Sequence, residues 1–270
     1  MSQRISQTSP LIIGHRGASA VAPENTLASF ARALADGAVG IELDVRLAGD
    51  GVPVVIHDAN LRRTALREGL VAEMTSSELG KTEVGSWFNR AHPQLARDEY
   101  ARQFVPTLDQ VLAFVKSHPN VLIYVEMKTD HAETTYVELS SAVIQLVRDH
   151  GLQSRVVVVS FNLKAVAQIK MIDPSIRTGA LFEPRRNMVK IIRKHPLITA
   201  ALECGAEEIL LHRSIANRRN VALALEGDLL PVVWTVDDPK WVRRATSLGI
   251  HAVITNNPQA MSKVARASCA

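Results

Sequence analysis

A short apolar run followed by a stretch of helical spacing recurs along this chain, and that repeat limits the fold more than any other feature. Strand candidates begin near Leu11, Val39, Val121, Val156, Gly179, Glu208, Val232 and Ala252. Helical stretches lie between them; Leu27, Phe30, Ala31 and Leu34, for example, share one helix face behind the turn Pro23-Glu24-Asn25-Thr26. Gly37, Gly151, Gly205 and Gly249 each sit a few residues before the next strand, where a left-handed residue lets the chain reverse. Near-continuous apolar strands such as Val156-Val157-Val158-Val159 suit a parallel sheet covered by helices. Eight such units within 270 residues predict a closed (β/α)8 TIM barrel, with a doubly wound open sheet as the alternative.

The repeat breaks once. After the second strand, the short strand Val54-Val55-Ile56 is left over as part of a loop, and from Ala59 to Gln103 periodicity is poor. Core connections in such folds are short, so 59–103 is read as an insertion subdomain within a single domain covering 1–270.

Several classes drop out on composition. No apolar run approaches the roughly 20 residues a bilayer needs, and Met1 to Pro10 is polar, so a soluble cytoplasmic protein without a membrane anchor is expected. Cys204 and Cys269 alone make no disulfide framework and are expected to be reduced. The net charge of +4 comes from scattered basic residues. Their densest cluster, Arg185, Arg186, Lys190, Arg193 and Lys194, lacks the interleaved aromatics that stack bases, so it is read as a solvated helix face and no nucleic-acid partner is expected. The oligomeric state is open.

In a (β/α)8 barrel, chemistry gathers at the C-terminal ends of the strands. His15 and Arg16 follow the first strand, Glu42 and Asp44 end the second, His57 lies just beyond it, and Glu126 and Lys128 end the third. Strand side chains alternate faces, so Glu42 pairs with Asp44, and Glu126 with Lys128, on the inward side. Three acids in one mouth repel unless a cation neutralises them, which predicts a divalent site of Glu42, Asp44 and Glu126 taking Mg²⁺ or Ca²⁺. The alternative is that they pair with Arg16, Lys128 or Arg46 in a structural network. Two histidines on the same rim suggest an acid and a base, and Arg16 with Lys128 suggests a phosphate clamp. His212 and Glu183, at the ends of later strands, are read as structural.

These residues resemble the glycerophosphodiester phosphodiesterases. The resemblance lies in His15-Arg16-Gly17, Pro23-Glu24-Asn25-Thr26, Glu42-Leu43-Asp44-Val45, Gly51-Val52-Pro53-Val54-Val55-Ile56-His57-Asp58, Leu61, Arg63-Thr64, Pro106-Thr107-Leu108, Glu126-Met127-Lys128, Ser160-Phe161, Trp234-Thr235-Val236 and Ile254-Thr255-Asn256-Asn257-Pro258. It spans nearly the whole chain, and it is specific in combination and order.

It implies a TIM barrel with a small insertion after strand two, and one divalent ion on Glu42, Asp44 and Glu126. It also implies His15 and His57 as the acid–base pair, Arg16 and Lys128 on the phosphate, and Trp234 as a wall of the site. The implied reaction is hydrolysis of a glycerophosphodiester, a small-molecule substrate, to sn-glycerol 3-phosphate and an alcohol through a cyclic phosphate. Two rivals stand beside it: a phospholipase-D-like relative that stops at the cyclic phosphate, and a barrel that only binds a phosphodiester. Ala48-Gly49 and Ala65-Leu66-Arg67-Glu68 depart from the family pattern, away from the implied chemistry. Trp87 and Phe88 are read either as the insertion's small core or as contacts to the leaving alcohol.

Overall fold

In the computed structural model, which describes residues 9–129, 133–184 and 196–267, the alternation closes on itself. The chain runs β1 (Leu11–His15), α1 (Leu27–Ala35), β2 (Gly40–Leu47) and β3 (Pro53–Val55), then the short helices α2 (Arg62–Ala65), α3 (Ser76–Leu79) and α4 (Ser86–Ala91). Regular units resume with α5 (Leu108–Lys116), β4 (Leu122–Met127), α6 (Glu133–Asp149), β5 (Val156–Ser160), α7 (Leu163–Ile172) and β6 (Arg177–Phe182). They end with α8 (Pro196–Glu203), β7 (Glu208–His212), α9 (Arg218–Glu226), β8 (Leu230–Trp234), α10 (Lys240–Leu248), β9 (Ala252–Thr255) and α11 (Pro258–Ala267).

The strand order β1-β9-β8-β7-β6-β5-β4-β2 is parallel throughout, and the β1–β2 pairing closes the ring. Among the described residues this is an eight-stranded TIM barrel with one extra strand. Local chemistry explains the elements. The Thr26 hydroxyl caps α1 by accepting the Ser29 N–H, and Thr107 with Gln110 forms a capping box on α5. Gly249, at φ +75°, ends α10 in the left-handed region that glycine enters without a Cβ penalty.

The strand period of two sorts the core into layers. Val157 and Val159 point inward with Ile13, Tyr124, Leu181, Leu210 and Val232, so the barrel interior is filled. Val156 and Val158 point outward into the layer that packs on Val143 and Val147 of α6. Helices from the second half close over Ile209, Leu211, Val233 and Val253 in the same way.

The leftover short strand read at Val54-Val55-Ile56 is present as β3, one residue earlier, and it pairs antiparallel with β2 at Val45↔Val55 and Leu47↔Pro53. The eight-residue β2 outruns its parallel partners, and its free C-terminal end recruits the returning chain. From 59 to 103 the α-helices are four to six residues long and the 3-10 turns three, too short to print a periodicity. They close over two small cores. Leu61, Leu79 and Val84 pack on Val54 and Ile56, while Phe88 and Tyr100, edge to face at 5.7 Å, pack on Ala22. The basic cluster Arg185–Lys194 and Cys269 lie outside the described residues, and Cys204 is a buried thiol.

Candidate active site

The loop after β1 is shaped by contacts that exclude side chains. A Cβ on Gly17, which sits at φ +83°, would fall 2.3 Å from Ser29 Oγ, so α1 approaches the loop backbone directly. Arg16 is itself held at φ +52°, an unfavourable conformation for a non-glycine residue. In that conformation its backbone N–H donates to Glu42 Oε2 at 2.9 Å.

Register assembles the acids. Asp44 on β2 stands beside Glu126 on β4, and His15 on β1 beside Glu42. One oxygen from each of Glu42, Asp44 and Glu126 lies within 4.8 Å of the others. All three are buried, at 3, 0 and 7 % exposure. Arg16 Nε is 3.0 Å from Asp44 Oδ2, Lys128 Nζ is 3.1 Å from Asp44 Oδ1, and Lys128 also bonds Glu126 Oε1. The ion pairs of Arg16 and Lys128 in the structural alternative are therefore present, but two cations face three carboxylates, and Asp44 Oδ1, although in ion-pair range of Lys128, receives no hydrogen bond among the described residues. An excess buried charge and an acceptor oxygen without a hydrogen bond fit a hard divalent ion.

The electrostatics record the same excess. Burial, then the charge of Asp44, raises the Glu42 carboxyl to about 8. Burial raises Glu126 to about 7, with Asp44 and Glu42 adding to it against the pull of Lys128. Burial acts on Asp44 too, but Lys128 and Arg16 outweigh it and hold that carboxyl well below the usual range. The mouth thus keeps one firmly ionised acid flanked by two that lose a proton only near neutral pH unless a cation assists.

Both histidines are anchored from behind. His15 Nδ1 lies 2.7 Å from Asn256 Oδ1, which can only accept, so that nitrogen donates and Nε2 is left facing Glu42 at 3.9 Å. Asn256 is fixed in turn by Asp237, which accepts its backbone N–H and its side-chain N–H, each at 2.8 Å. His57 Nδ1 sits 2.6 Å from Asp58 Oδ1, again leaving Nε2 without a hydrogen bond among the described residues. Burial holds both imidazoles below their ordinary value of 6.5, with Arg16 assisting at His15.

His15, Arg16, Glu42, His57, Glu126 and Lys128 line one side of a cleft of about 660 Å³, open mouth included. Val159, Phe161, Leu181, Leu210, Trp234 and Ile254 line the other, with Glu183. Trp234 is held by its Nε1–H to Leu210 O at 3.2 Å and packs edge-on against Phe161 at 5.5 Å. Seven of the eight residues expected at the site thus line one cleft, and Asp44 lies beneath it. Glu183, read as structural, also lines it; His212 does not, and packs against Trp234 at 5.3 Å. Trp87 and Phe88 pack within the insertion.

Sequence reasoning gave no role to Asn256, Asp237 or Asp58, although Asn256 and Asp58 lie in motifs it quoted. Adjacency to His57 was the available signal for Asp58. Asn256 lies 241 residues from His15, and only closure of the barrel brings them together.

Comparison with known proteins agrees with this geometry. The family described as "Glycerophosphoryl diester phosphodiesterase family" matches residues 15–260. A glycerophosphodiester phosphodiesterase of Bacillus subtilis is 31% identical over 259 residues, covering 94% of this chain and 86% of that one. One from Caldanaerobacter subterraneus is 30% identical over 267 residues, covering 95% and 98%. Among solved structures, a phosphodiesterase of Oleispira antarctica in complex with the product sn-glycerol-3-phosphate superposes with a TM-score of 0.81 at 27% identity, covering 95% and 96%. A match that runs from His15, at the end of β1, through all the later strands of the barrel means that the chain belongs to the glycerophosphoryl diester phosphodiesterase family.

Proposed function

We propose that this protein hydrolyses glycerophosphodiesters to sn-glycerol 3-phosphate and an alcohol, with His15 and His57 as its acid–base pair. One observation carries the reading: both imidazoles are anchored through Nδ1 and line the same cleft as Arg16, Lys128 and the acids. Glu42, Asp44 and Glu126 would hold one divalent ion, Mg²⁺ or Ca²⁺, which when bound supplies Lewis-acid stabilisation of charge on a phosphoryl oxygen.

The chain's own groups supply the rest. Arg16 and Lys128 bind the phosphate oxygens as charge-assisted donors. One histidine takes the proton of the glycerol 2-hydroxyl as that oxygen bonds to phosphorus. The bond from phosphorus to the alcohol breaks, and the other histidine protonates the departing oxygen. Water then adds to the cyclic phosphate, the bond to the 2-oxygen breaks, and the proton roles reverse. Burial, which holds both imidazoles below 6.5, favours the unprotonated base, and the reactive form is the one in which the other imidazole carries the proton it delivers. Trp234, tethered to the barrel wall, gives the substrate a flat apolar surface.

We also read 59–103 as a subdomain inserted into one catalytic domain that acts on a small molecule in the cytoplasm. Among the described residues, no helix is long and apolar enough to cross a membrane.

The test is glycerol 3-phosphate release from a panel of head-group diesters with Mg²⁺, Ca²⁺ or EDTA. Wild type, His15→Ala, His57→Ala and Glu42→Ala are compared. EDTA is expected to abolish turnover, and each histidine loss to cost about 10²–10⁴-fold. Activity that survives either treatment overturns the mechanism, and cyclic phosphate as the end product would move the reading to the phospholipase-D-like rival.

A further inference from the structure

Arg63 lies on α2, outside every role assigned above, yet it touches two residues that hold the reacting groups. Its Nη1 and Nη2 donate to the two oxygens of Glu24 at 2.7 and 2.8 Å, and its Nε donates to Asp58 Oδ2 at 2.7 Å. Each acceptor is engaged on its other side. Glu24 Oε1 also accepts Arg16 Nη1 at 2.9 Å, and Asp58 Oδ1 lies 2.6 Å from His57 Nδ1. The Arg63 guanidinium thus spans the acid behind the phosphate cation and the acid behind one imidazole.

Residue type matters here. A guanidinium presents its donors in a rigid plane and can serve two carboxylates on different edges at once, whereas an ammonium is a point charge without that fork. Remove it, and Glu24 and Asp58 lose their shared counter-charge and their fixed separation. The Arg63 Cζ also lies 5.9 Å from the centre of the Trp87 ring, and Trp87 is pinned by its Nε1–H to Val84 O at 2.9 Å. Both α2 and α4 belong to the stretch that interrupts the barrel repeat.

We propose that Arg63 is a positioning residue, which clamps Glu24 to Asp58 and through them sets the orientation of Arg16 and His57. The insertion then has a task in the chemistry: it carries the clamp on α2 and its aromatic support on α4. This rests on the roles proposed above for Arg16 and His57.

The experiment compares Arg63→Lys, Arg63→Met and Arg63→Ala with wild type, Asp58→Asn and the Arg63→Met/Asp58→Asn double variant. Misplacing a catalytic group by about 1 Å costs about 10²-fold, so Arg63→Met and Arg63→Lys should both lose roughly that in kcat. Guanidinium ion should restore part of the Arg63→Ala loss, while ammonium at equal ionic strength should not. The double variant should fall no further than the worse single one, because both break the same chain of contacts.

A readout independent of turnover is the Nδ1 proton of His57, identified by its loss in His57→Gln. Its downfield NMR resonance should shift or vanish in Arg63→Lys. The proposal is overturned by an Arg63→Lys enzyme within about threefold of wild type, by losses that multiply in the double variant, or by an unmoved His57 resonance. Should Arg63→Met fail to fold, Arg63→Lys, which keeps the charge and the stem, decides. An inert wild type would sink the proposed function, leaving the proton resonance to decide the clamp by itself.

Discussion

Buried carboxyls occupy both ends of this barrel, and the two ends treat them in opposite ways. At the mouth, Glu42, Asp44 and Glu126 outnumber their cations and open on a cleft. At the base, Glu208 begins β7 with no exposed surface, accepts the Tyr124 hydroxyl at 2.9 Å and faces Arg177 Nη1 at 3.4 Å. Burial pushes Glu208 to about 7, level with Glu126 at the mouth. A raised carboxyl therefore does not mark the active site. Convergence does: several acids crowd one another at the mouth, whereas a single acid is answered by a phenol and a guanidinium at the base.

The largest effect should separate the two ends outright. Asp44→Asn removes an acid that Arg16, Lys128 and Asn25 all contact, and with it one side of the proposed metal triad. Several kcal/mol of transition-state stabilisation should go with it, about 10⁴-fold in kcat/KM. Glu208→Gln, equally buried, should leave kcat/KM within about threefold, because it touches nothing in the cleft. Equal losses at both ends would erase the distinction.

The next effect falls on stability, and it belongs to the base. Glu208 has a folded value of about 7 against an ordinary 4.5, so the folded state binds its proton more tightly than the unfolded chain does. Its contribution is fully present below 4.5 and is lost as pH rises to and through 7, by on the order of 3 kcal/mol. Arg177 and the Tyr124 hydroxyl hold the value down and Glu207 pushes it up; His251 nearby sees Arg177. Denaturant melts of wild type against Glu208→Gln should diverge over this window, with the variant holding stability that wild type loses. Parallel curves from pH 4 to 9 would show that Glu208 titrates alike in both states.

The mouth should respond to metal in a way the base does not. With carboxyls at about 8 and about 7, Glu42 and Glu126 are partly protonated at neutral pH without a cation. Binding a divalent ion should expel about one to two protons at pH 7, and affinity should climb with pH up to about 8. Calorimetry in buffers of different ionisation enthalpy measures that release. Glu208→Gln should leave the count unchanged, and Glu42→Gln should lower it.

The same contrast explains what could be read from the chain. Eight strands were legible because they are short, mainly apolar runs, Val156–Val159 most plainly, that alternate with helical stretches and turn residues. The triad was legible because Glu42 and Asp44, two apart on a strand, must share a face. Partners fixed by closure were not. Asn256 meets His15, and Arg63 meets Glu24, only after the chain has wrapped, and neither spacing carries a local period. Glu208 was hidden for another reason: an acid at the start of a strand looks like a solvent-facing residue until Tyr124, 84 positions earlier, is seen to reach it through the barrel interior.

Tyr124→Phe gives the smallest effect and the sharpest view of that buried pair. It deletes one hydroxyl and leaves the ring in the core, so the packing cost is small. The lost donor leaves a Glu208 oxygen short of one partner, worth about 1–2 kcal/mol where Glu208 is ionised and less where it is protonated. The phenol also lowers the Glu208 value by bonding its charged form, so removing it should move the stability transition to higher pH. The cost and the shift should appear together in melts, with kcat/KM unchanged. A variant that weakens turnover without moving the pH transition would mean that Tyr124, two residues from Glu126 on β4, supports the mouth rather than the base.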